Sequence, residues 1–440
     1  MTRRYDVVVI GAGLAGRMAA LAAAEEGVSV LLVSESESTM RSSTGLVDLL
    51  GYMDGRTDPI AEPFDSIPEL PSSHPLHNRG ESAILEAFGL FDEAVGDGYR
   101  GGHTDRNGLI PTQLGTPTPT ARYPRSFEAG LLSRGEEMLL LGIEGLPGFD
   151  GPFAARELAS YDPPFEVSGG TIDPFGSTLP EQPRLRLARA LDENERWGAG
   201  GQPNGAQSAG SRTRARLAAE IERVHDGQNR IGLPAVLGRE RTQEIRDDLA
   251  DAVGVSIFEY PTDPPSLPGI RLADRLDRAL RNRGVELRTG MEVSGVSIAE
   301  SAIEHLQIDG GTRTVRGREF VLATGGLIGG GLVESDGRIV EPLLGLTVSH
   351  PERSEWVRED PLARQPFATA GLRIDQSLRP LDSLGNSDGR HRNSNPQFDN
   401  LRACGAVLGG YDLAYEHSAG GVAIATGVRA GRLAAQEGST

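Results

Sequence analysis

The sequence predicts an α/β fold with a central parallel sheet, an antiparallel meander and an inserted α/β domain. Three stretches carry that prediction. Residues 5–33 read strand, glycine turn, helix, strand. Residues 285–326 read strand, meander, strand, glycine turn, and residues 400–435 read strand, glycine turn, helix. Strands that alternate with helices favour parallel pairing through crossover connections.

The opening unit is the most informative. Tyr5–Ile10 is a short β-branched run, suited to a strand buried on both faces. Gly-Ala-Gly-Leu-Ala-Gly follows at 11–16, then an alanine-rich helix over Leu14–Glu26, Gly27, and a second strand over Val28–Val33. The glycines have separate tasks. Gly11 permits the tight turn, Gly13 lets backbone approach a pyrophosphate, and Gly16 lets helix and strand pack closely. Leu14 and Ala15 open a helix whose free N–H groups and positive dipole end attract phosphate. A lone GxGxxG is weak. Strands on both sides with a helix between make it a Rossmann-like nucleotide site. One part of the fingerprint is missing: an acidic residue at the end of the second strand, about 20 residues after the motif. Ser34 stands there, and Glu35 comes one residue late, on the opposite strand face.

The remaining elements follow in order. Arg41–Gly51 is a polar turn running into an apolar segment. Residues 52–80, rich in Pro and Asp, are expected to be irregular. Residues 81–95 have helical spacing through Ile84, Leu85, Phe88 and Phe91. Residues 105–135 read as loop and short strands. A new α/β stretch begins near Met138, with strands over Leu139–Ile143 and Leu233–Leu237. Its helices are expected over Phe153–Ser160, Leu187–Leu191, Arg212–Val224 and Glu240–Val253. Arg212, Arg214 and Arg216 read as a solvated face, and Gly198–Ser211 as a flexible low-complexity loop.

Ser266–Gly284 reads as a helix and Val285–Thr289 as a strand. Val293–Ile298, Ile303–Ile308 and Thr312–Val315 form the meander, and Glu319–Ala323 a further strand ending in Thr324-Gly325-Gly326. Asn400–Cys404 is a strand, Gly405–Gly410 a turn, and Gly420–Ala435 a helix whose start at Gly420-Gly421-Val422 offers free N–H groups. The expected organisation is a discontinuous nucleotide-binding domain (1–51, 266–345 and 400–440), an insertion (52–265) and a connecting cap segment (346–399).

Composition narrows the function classes. The 440 residues carry 62 acidic and 44 basic groups, for a net charge of −18, and every basic residue is Arg. That acidity argues against general nucleic-acid binding, which needs basic stripes. It fits a surface adapted to high salt, where screening tolerates self-repulsion. Cys404 is the only cysteine. Internal disulfides, cysteine-held zinc and an iron–sulfur cluster held by this chain alone are thereby excluded, no metal site is expected, and a reduced cytoplasmic setting fits. No stretch reaches the roughly 18 uninterrupted apolar residues of a membrane span. Arg3-Arg4 precede a core strand, not a cleavable apolar region, so they do not read as an export signal.

Residues 11–16, 323–326 and 405–427 together resemble the two-dinucleotide-binding-domain flavoproteins. A narrower resemblance rests on Arg41-Ser-Ser-Thr-Gly-Leu-Val-Asp-Leu-Leu-Gly51, Pro264-Pro-Ser-Leu-Pro-Gly-Ile-Arg-Leu272 and Gly330-Gly-Leu-Val-Glu334. Glu341-Pro-Leu-Leu-Gly-Leu346 and Leu408-Gly-Gly-Tyr-Asp412 extend it. These segments resemble the B subunits of anaerobic glycerol-3-phosphate dehydrogenase, over nearly the whole chain. Residues 198–211 and 383–396 look like extra loops.

The resemblance implies a quinone-linked, flavin-dependent dehydrogenase. In that family, A and B subunits form the catalytic pair, and an iron–sulfur C subunit docks them on the inner face of the membrane. It implies FMN, held non-covalently, with FAD as the alternative; Ser34 suits FMN, which has no adenosine ribose to clamp. The implied reaction oxidises sn-glycerol 3-phosphate to dihydroxyacetone phosphate, with hydride transfer to flavin while a base takes the hydroxyl proton. In the implied site Ser42, Ser43, Thr44 and Gly45 bond the flavin or its phosphate, and Ala323-Thr324-Gly325 crosses behind it. Gly409, Gly410, Gly420, Gly421 and Val422 face the ring.

Arg271, Arg373 and Arg41 are candidate phosphate or flavin ligands; the plain alternative for Arg271 is an ion pair with Asp274 or Asp277. His417 and His350 are candidate bases, against a solvated or core histidine. Asp412 either caps the last helix or touches the ring. Two other functions stay open: an electron-relay or assembly subunit, and a fumarate-reductase-like or ketosteroid-dehydrogenase-like flavoenzyme.

Overall fold

Strand β1 (Arg4–Ile10) is fully buried from Val7 to Ile10, as its unbroken β-branched run requires. The computed structural model describes residues 4–36, 38–77, 79–101, 106–146, 148–174, 183–193, 209–360, 363–382 and 395–438. The loops expected at 198–211 and 383–396 thus lie mostly outside the described residues. Helix α1 (Leu14–Glu25) and strand β2 (Val30–Ser34) complete the opening unit as expected. Helix α2 (Glu81–Val95) buries Ile84, Phe88 and Phe91 against the same core. Residues 60–99, expected in the insertion, therefore pack on the nucleotide-binding core.

The second core draws on residues 138–260. Its chain runs β3 (Met138–Ile143), α3 (Gly151–Ala159), β4 (Val167–Ile172), α4 (Pro183–Asp192), α5 (Ala209–Val224), β5 (Arg230–Pro234), α6 (Thr242–Val253) and β6 (Ser256–Tyr260). The four strands form a parallel sheet in the order β6-β5-β3-β4. Two of them escape the sequence pattern. In β4, Gly169 and Gly170 dilute strand propensity, yet a Cβ on Gly169 would stand 2.5 Å from the Gly151 carbonyl, so α3 can pack closely only against glycine. In β6 a buried charge, Glu259, interrupts the apolar run. Arg214 departs from the solvated face expected of it. It is 1% exposed, donates to Glu244 at 3.1 Å and Asp248 at 2.5 Å, and joins α5 to α6.

The chain then returns to the first core through α7 (Leu267–Asn282), β7 (Glu286–Thr289), β8 (Val293–Ala299), β9 (Ala302–Ile308) and β10 (Arg313–Leu322). Ser266 caps α7, its hydroxyl accepting from Gly269 N at 3.3 Å. The two strands expected over 312–315 and 319–323 are one strand. Its first residues pair antiparallel with β9, and from Arg316 onward it pairs parallel with β1. Gly317 does not break it, because the glycine admits Val8 beneath, where an added Cβ would stand 2.9 Å from Val8 Cγ2. With β11 (Leu401–Ala403), the sheet runs β7-β2-β1-β10-β9-β8, and β11 pairs with β10.

Helix α8 (Ala419–Gly438) crosses α1 with almost no side-chain bulk between them. A Cβ on Gly427 would lie 2.5 Å from the Ala15 carbonyl, and one on Gly431 2.1 Å from that of Ala19. Among the described residues no helix is long and apolar enough to cross a membrane.

Arg402 on β11 fastens this layer. It is fully buried, bonds Glu319 of β10, and lies 2.7 Å from Glu437 of α8. Arg402→Ala leaves Glu319 buried without its cation, which costs about 3–5 kcal/mol. Urea unfolding at constant salt is expected to show that loss in the midpoint.

Candidate functional site

The glycine turn is built by two close approaches and one open position. Gly11 takes φ +107°, and a Cβ there would stand 2.3 Å from the Ala323 carbonyl. A Cβ on Gly16 would stand 1.9 Å from the Gly11 carbonyl. Gly13 differs: as the N-cap of α1 it has no atom within 4 Å of a built Cβ, so the helix start opens onto free space. Leu14 and Ala15 begin the helix behind that opening.

A cleft of about 380 Å³ lies there. Gly11–Gly13, Ser34, Thr39 and Glu292–Ser294 line it, together with Ala323, Thr324, Gly325 and Gly331. Thr324 Oγ1 is buried in the wall without a hydrogen-bond partner. Such an orphaned hydroxyl is costly unless a ligand satisfies it. Ser34 Oγ donates to Ser36 O at 2.9 Å, and Glu35 is exposed at the rim. Glu341 also lines the cleft but holds its own turn, accepting from Leu343 N at 3.1 Å and Leu344 N at 2.8 Å; burial pushes its carboxyl up. Free helix N–H groups, an open glycine cradle and an unpaired threonine fit a dinucleotide's phosphates.

The second half of the site is the segment 39–51 against the start of α8. Gly421 N donates to Asp48 O at 2.6 Å, and a Cβ on Gly420 would lie 2.9 Å from Asp48 N. Val422 N donates to Ser418 O. Ser43 closes its own turn by donating to Met40 O at 2.8 Å, whereas Ser42 and Thr44 are exposed. Gly45, at φ +77°, packs on Pro268, and its carbonyl accepts from Tyr99 Oη at 2.7 Å. Gly409 N donates to Leu372 O and Gly410 N to Thr369 O, so this turn braces backbone.

Asp48 and His417 meet here. His417 takes φ +47°, and its Nδ1 lies 3.9 Å from Asp48 Oδ2 and 3.4 Å from Thr118 Oγ1. Its ring stands edge-on to Tyr52 at 5.1 Å. Asp48 is 23% exposed, and its Oδ1 is buried without a partner. Burial pushes the Asp48 carboxyl up to about 7. Burial also lowers the His417 imidazole. At neutral pH the imidazole is therefore neutral and able to accept a proton, next to a carboxylate that can stabilise the resulting charge. Sequence reasoning does not single out Asp48, although it is the one acid between Arg41 and Gly51. Tyr52 and Thr118 carry no sequence signal.

The other candidates are placed differently. Arg271 is held by Glu259, at 2.6 Å, and by the Gly238 carbonyl; it lines a separate arginine-rich cleft, not the one under the glycine turn. Arg41 pairs with Asp274 at 3.3 Å. Arg373 is half-buried and, among the described residues, has no ion-pair partner. It follows Leu372, which bridges Leu408 beside the Gly409 turn. Asp412 caps the turn at 414–415 rather than α8, accepting from Ala414 N at 3.2 Å and Tyr415 N at 3.1 Å. His350 bonds Pro351 O and stands edge-on to Trp356. Among the described residues no His/Cys/Asp/Glu group could hold a metal, and Cys404 is buried.

A family model described as FAD binding domain matches residues 6–422. A Halobacterium salinarum protein, named as the B subunit of a probable anaerobic glycerol-3-phosphate dehydrogenase, is 42% identical over 440 residues, covering 99% of both chains. The B subunit of the Pectobacterium atrosepticum anaerobic glycerol-3-phosphate dehydrogenase is 29% identical over 99% of this chain and 100% of its own. That of Vibrio cholerae is 28% identical over 97% and 95%. This chain therefore belongs to the family of anaerobic glycerol-3-phosphate dehydrogenase B subunits, built on an FAD binding domain.

Proposed function

We propose that this chain is the flavoprotein subunit of an anaerobic, quinone-linked glycerol-3-phosphate dehydrogenase, and that it oxidises sn-glycerol 3-phosphate to dihydroxyacetone phosphate. The observation that carries the reading is the Asp48–His417 pair beside the start of α8, in a chain that also keeps the dinucleotide cradle.

FAD replaces FMN as the proposed cofactor, held non-covalently. Glu292, Val293 and Ser294 line the same cleft as the glycine turn; FMN, which ends at a single phosphate, has no group to offer them, whereas FAD carries an ADP half. The match to an FAD binding domain supports the same choice. The N–H groups at the start of α1 would hold the pyrophosphate, and the Thr324 hydroxyl would pair with the ligand. When bound, the flavin supplies a hydride acceptor. Flavin released by heat from the purified protein is expected to have the mass of FAD; FMN in its place would overturn this assignment.

His417 takes the C2 hydroxyl proton of the substrate onto its neutral imidazole, and Asp48 stabilises the imidazolium. Arg373, cationic and without an acid partner among the described residues, binds the substrate phosphate in an otherwise acidic protein. Electrons leave to iron–sulfur clusters on a partner, because a lone buried cysteine holds none here. The partners are a flavoprotein A subunit and an iron–sulfur C subunit that docks the complex on the inner face of the membrane. The assembled complex is expected to reduce a quinone-like dye with glycerol 3-phosphate. Dye reduction with other substrates but not with this one would exclude the reading.

A further inference from the structure

A cleft of about 780 Å³ lies away from the glycine turn, where α7 of the first core meets the start of α6 in the second. Seven arginines and four carboxylates line it, an excess of three positive charges in a chain of net charge −18. Most of those charges are already matched. Arg41 and Arg239 face Asp274, Arg241 bonds Glu244, Arg271 bonds Glu259, and Asp277 bonds Arg17. Arg275, Arg278 and Arg281 are different. Among the described residues none of the three has a carboxylate partner, and Arg275 reaches only the Val95 carbonyl, at 3.2 Å. Glu240 is the one carboxylate of the lining that no arginine holds.

The three arginines follow one another at i, i+3 and i+6, so they form a ridge about 9 Å long on one face of α7. Opposite stands the first turn of α6. Its N-cap, Arg241, makes no side-chain capping bond, and Thr242, Gln243 and Glu244 line the cleft. An uncapped helix start carries free N–H groups and a positive dipole end. Gln243 Oε1 is buried there without a partner, an acceptor that a hydroxyl or amino group would satisfy.

We propose that this cleft binds a small polyanion of linked phosphate groups, in the class of nucleoside triphosphates, bridging the two cores. Guanidinium groups suit phosphate oxygens through paired donors, and the row of arginines matches a chain of charges, not a single one. Burial that weakens Arg275's hold on its proton is relieved when an anion neutralises it. The site is separate from the flavin cleft and does not depend on the reaction assigned above.

Isothermal titration of the flavin-loaded protein with ATP, and separately with sodium tripolyphosphate, tests the proposal at fixed ionic strength. Saturable binding of either, weakened at least tenfold in the double variant R278Q/R281Q, is the expected result. Tighter binding of ATP than of tripolyphosphate would assign Gln243 to the nucleoside; equal binding would assign the site to the phosphates alone. Absence of saturable binding, or binding unchanged in the variant, overturns the proposal. Both substitutions fall on exposed side chains, so the variant is expected to keep its flavin content and unfolding midpoint. A single-site variant, R278E, gives a second reading: it puts a negative charge in the middle of the ridge, cutting its net charge from three to one, and is expected to abolish binding.

Discussion

Gly16→Val is expected to produce a chain that purifies without flavin. A built Cβ at this position would meet the Gly11 carbonyl at 1.9 Å and Ala323 Cβ at 3.2 Å. Neither neighbour is a flexible side-chain end; one is the backbone of the turn itself. The turn must then open, and with it the start of α1 leaves the phosphate position. Gly13→Ala is the control. Its Cβ meets no protein atom, so the fold is expected to stand, but the methyl group enters the space left for the ligand. A flavin affinity lowered about tenfold, equal to about 1.4 kcal/mol, is expected there. The flavin-to-protein absorbance ratio after gel filtration reads both variants, and full flavin content in Gly16→Val would show that the cradle is not where the cofactor binds.

Asp48→Asn is expected to lower kcat by about 10²–10⁴-fold while leaving flavin content unchanged, the scale of a lost acid–base partner. The pH profile separates this from simple damage. Asp48 must be ionised to stabilise a protonated His417, and its carboxyl titrates near 7. Activity of the native protein is therefore expected to fall as pH drops through about 7, because protonation removes the negative charge. His417 titrates below its ordinary value and sets a second, more acid limb. Asparagine cannot ionise, so the limb near 7 disappears in the variant and the acid limb alone remains. A variant that loses activity but keeps the limb near 7 would remove Asp48 from the mechanism.

Much of this fold is legible in the chain because local rules agree with the global ones. The run Tyr5–Val33 combines strand, glycine turn and helix at spacings that only one arrangement satisfies, and the structure follows it closely. The failures have physical causes. Glu259 and Arg214 are buried charges made tolerable by partners far along the chain, so neither reads as interior from its neighbours. The strand Arg313–Leu322 reads as two because it changes partners midway, which no local period records. Residues 60–99 join the first core through contacts of long sequence separation.

At the site, the backbone parts are easier to read than the side chains. Glycines announce close approaches, so Gly11, Gly13 and Gly16 stand out from the sequence alone. The partner of His417 is harder to see. Asp48 and His417 are hundreds of residues apart, and only the crossing of the segment 39–51 over the start of α8 brings them together. Arg271 shows the reverse error: its position at the start of a helix suggests a ligand, but Glu259 holds it. Ser34 suggests FMN because one fingerprint residue is missing. Val293, which lines the same cleft as Ser34, belongs to a strand from much later in the chain, and no residue near Ser34 announces it.

In the function proposed above, glycerol 3-phosphate is oxidised on this chain and not on a partner. Anaerobic addition of glycerol 3-phosphate to the flavin-loaded chain, purified alone, tests it most directly. Bleaching of the flavin absorbance is expected, with no bleaching by glycerol and bleaching slowed about 10²–10⁴-fold in Asp48→Asn. Flavin that stays oxidised until the A subunit is added would contradict it and leave this chain an electron relay.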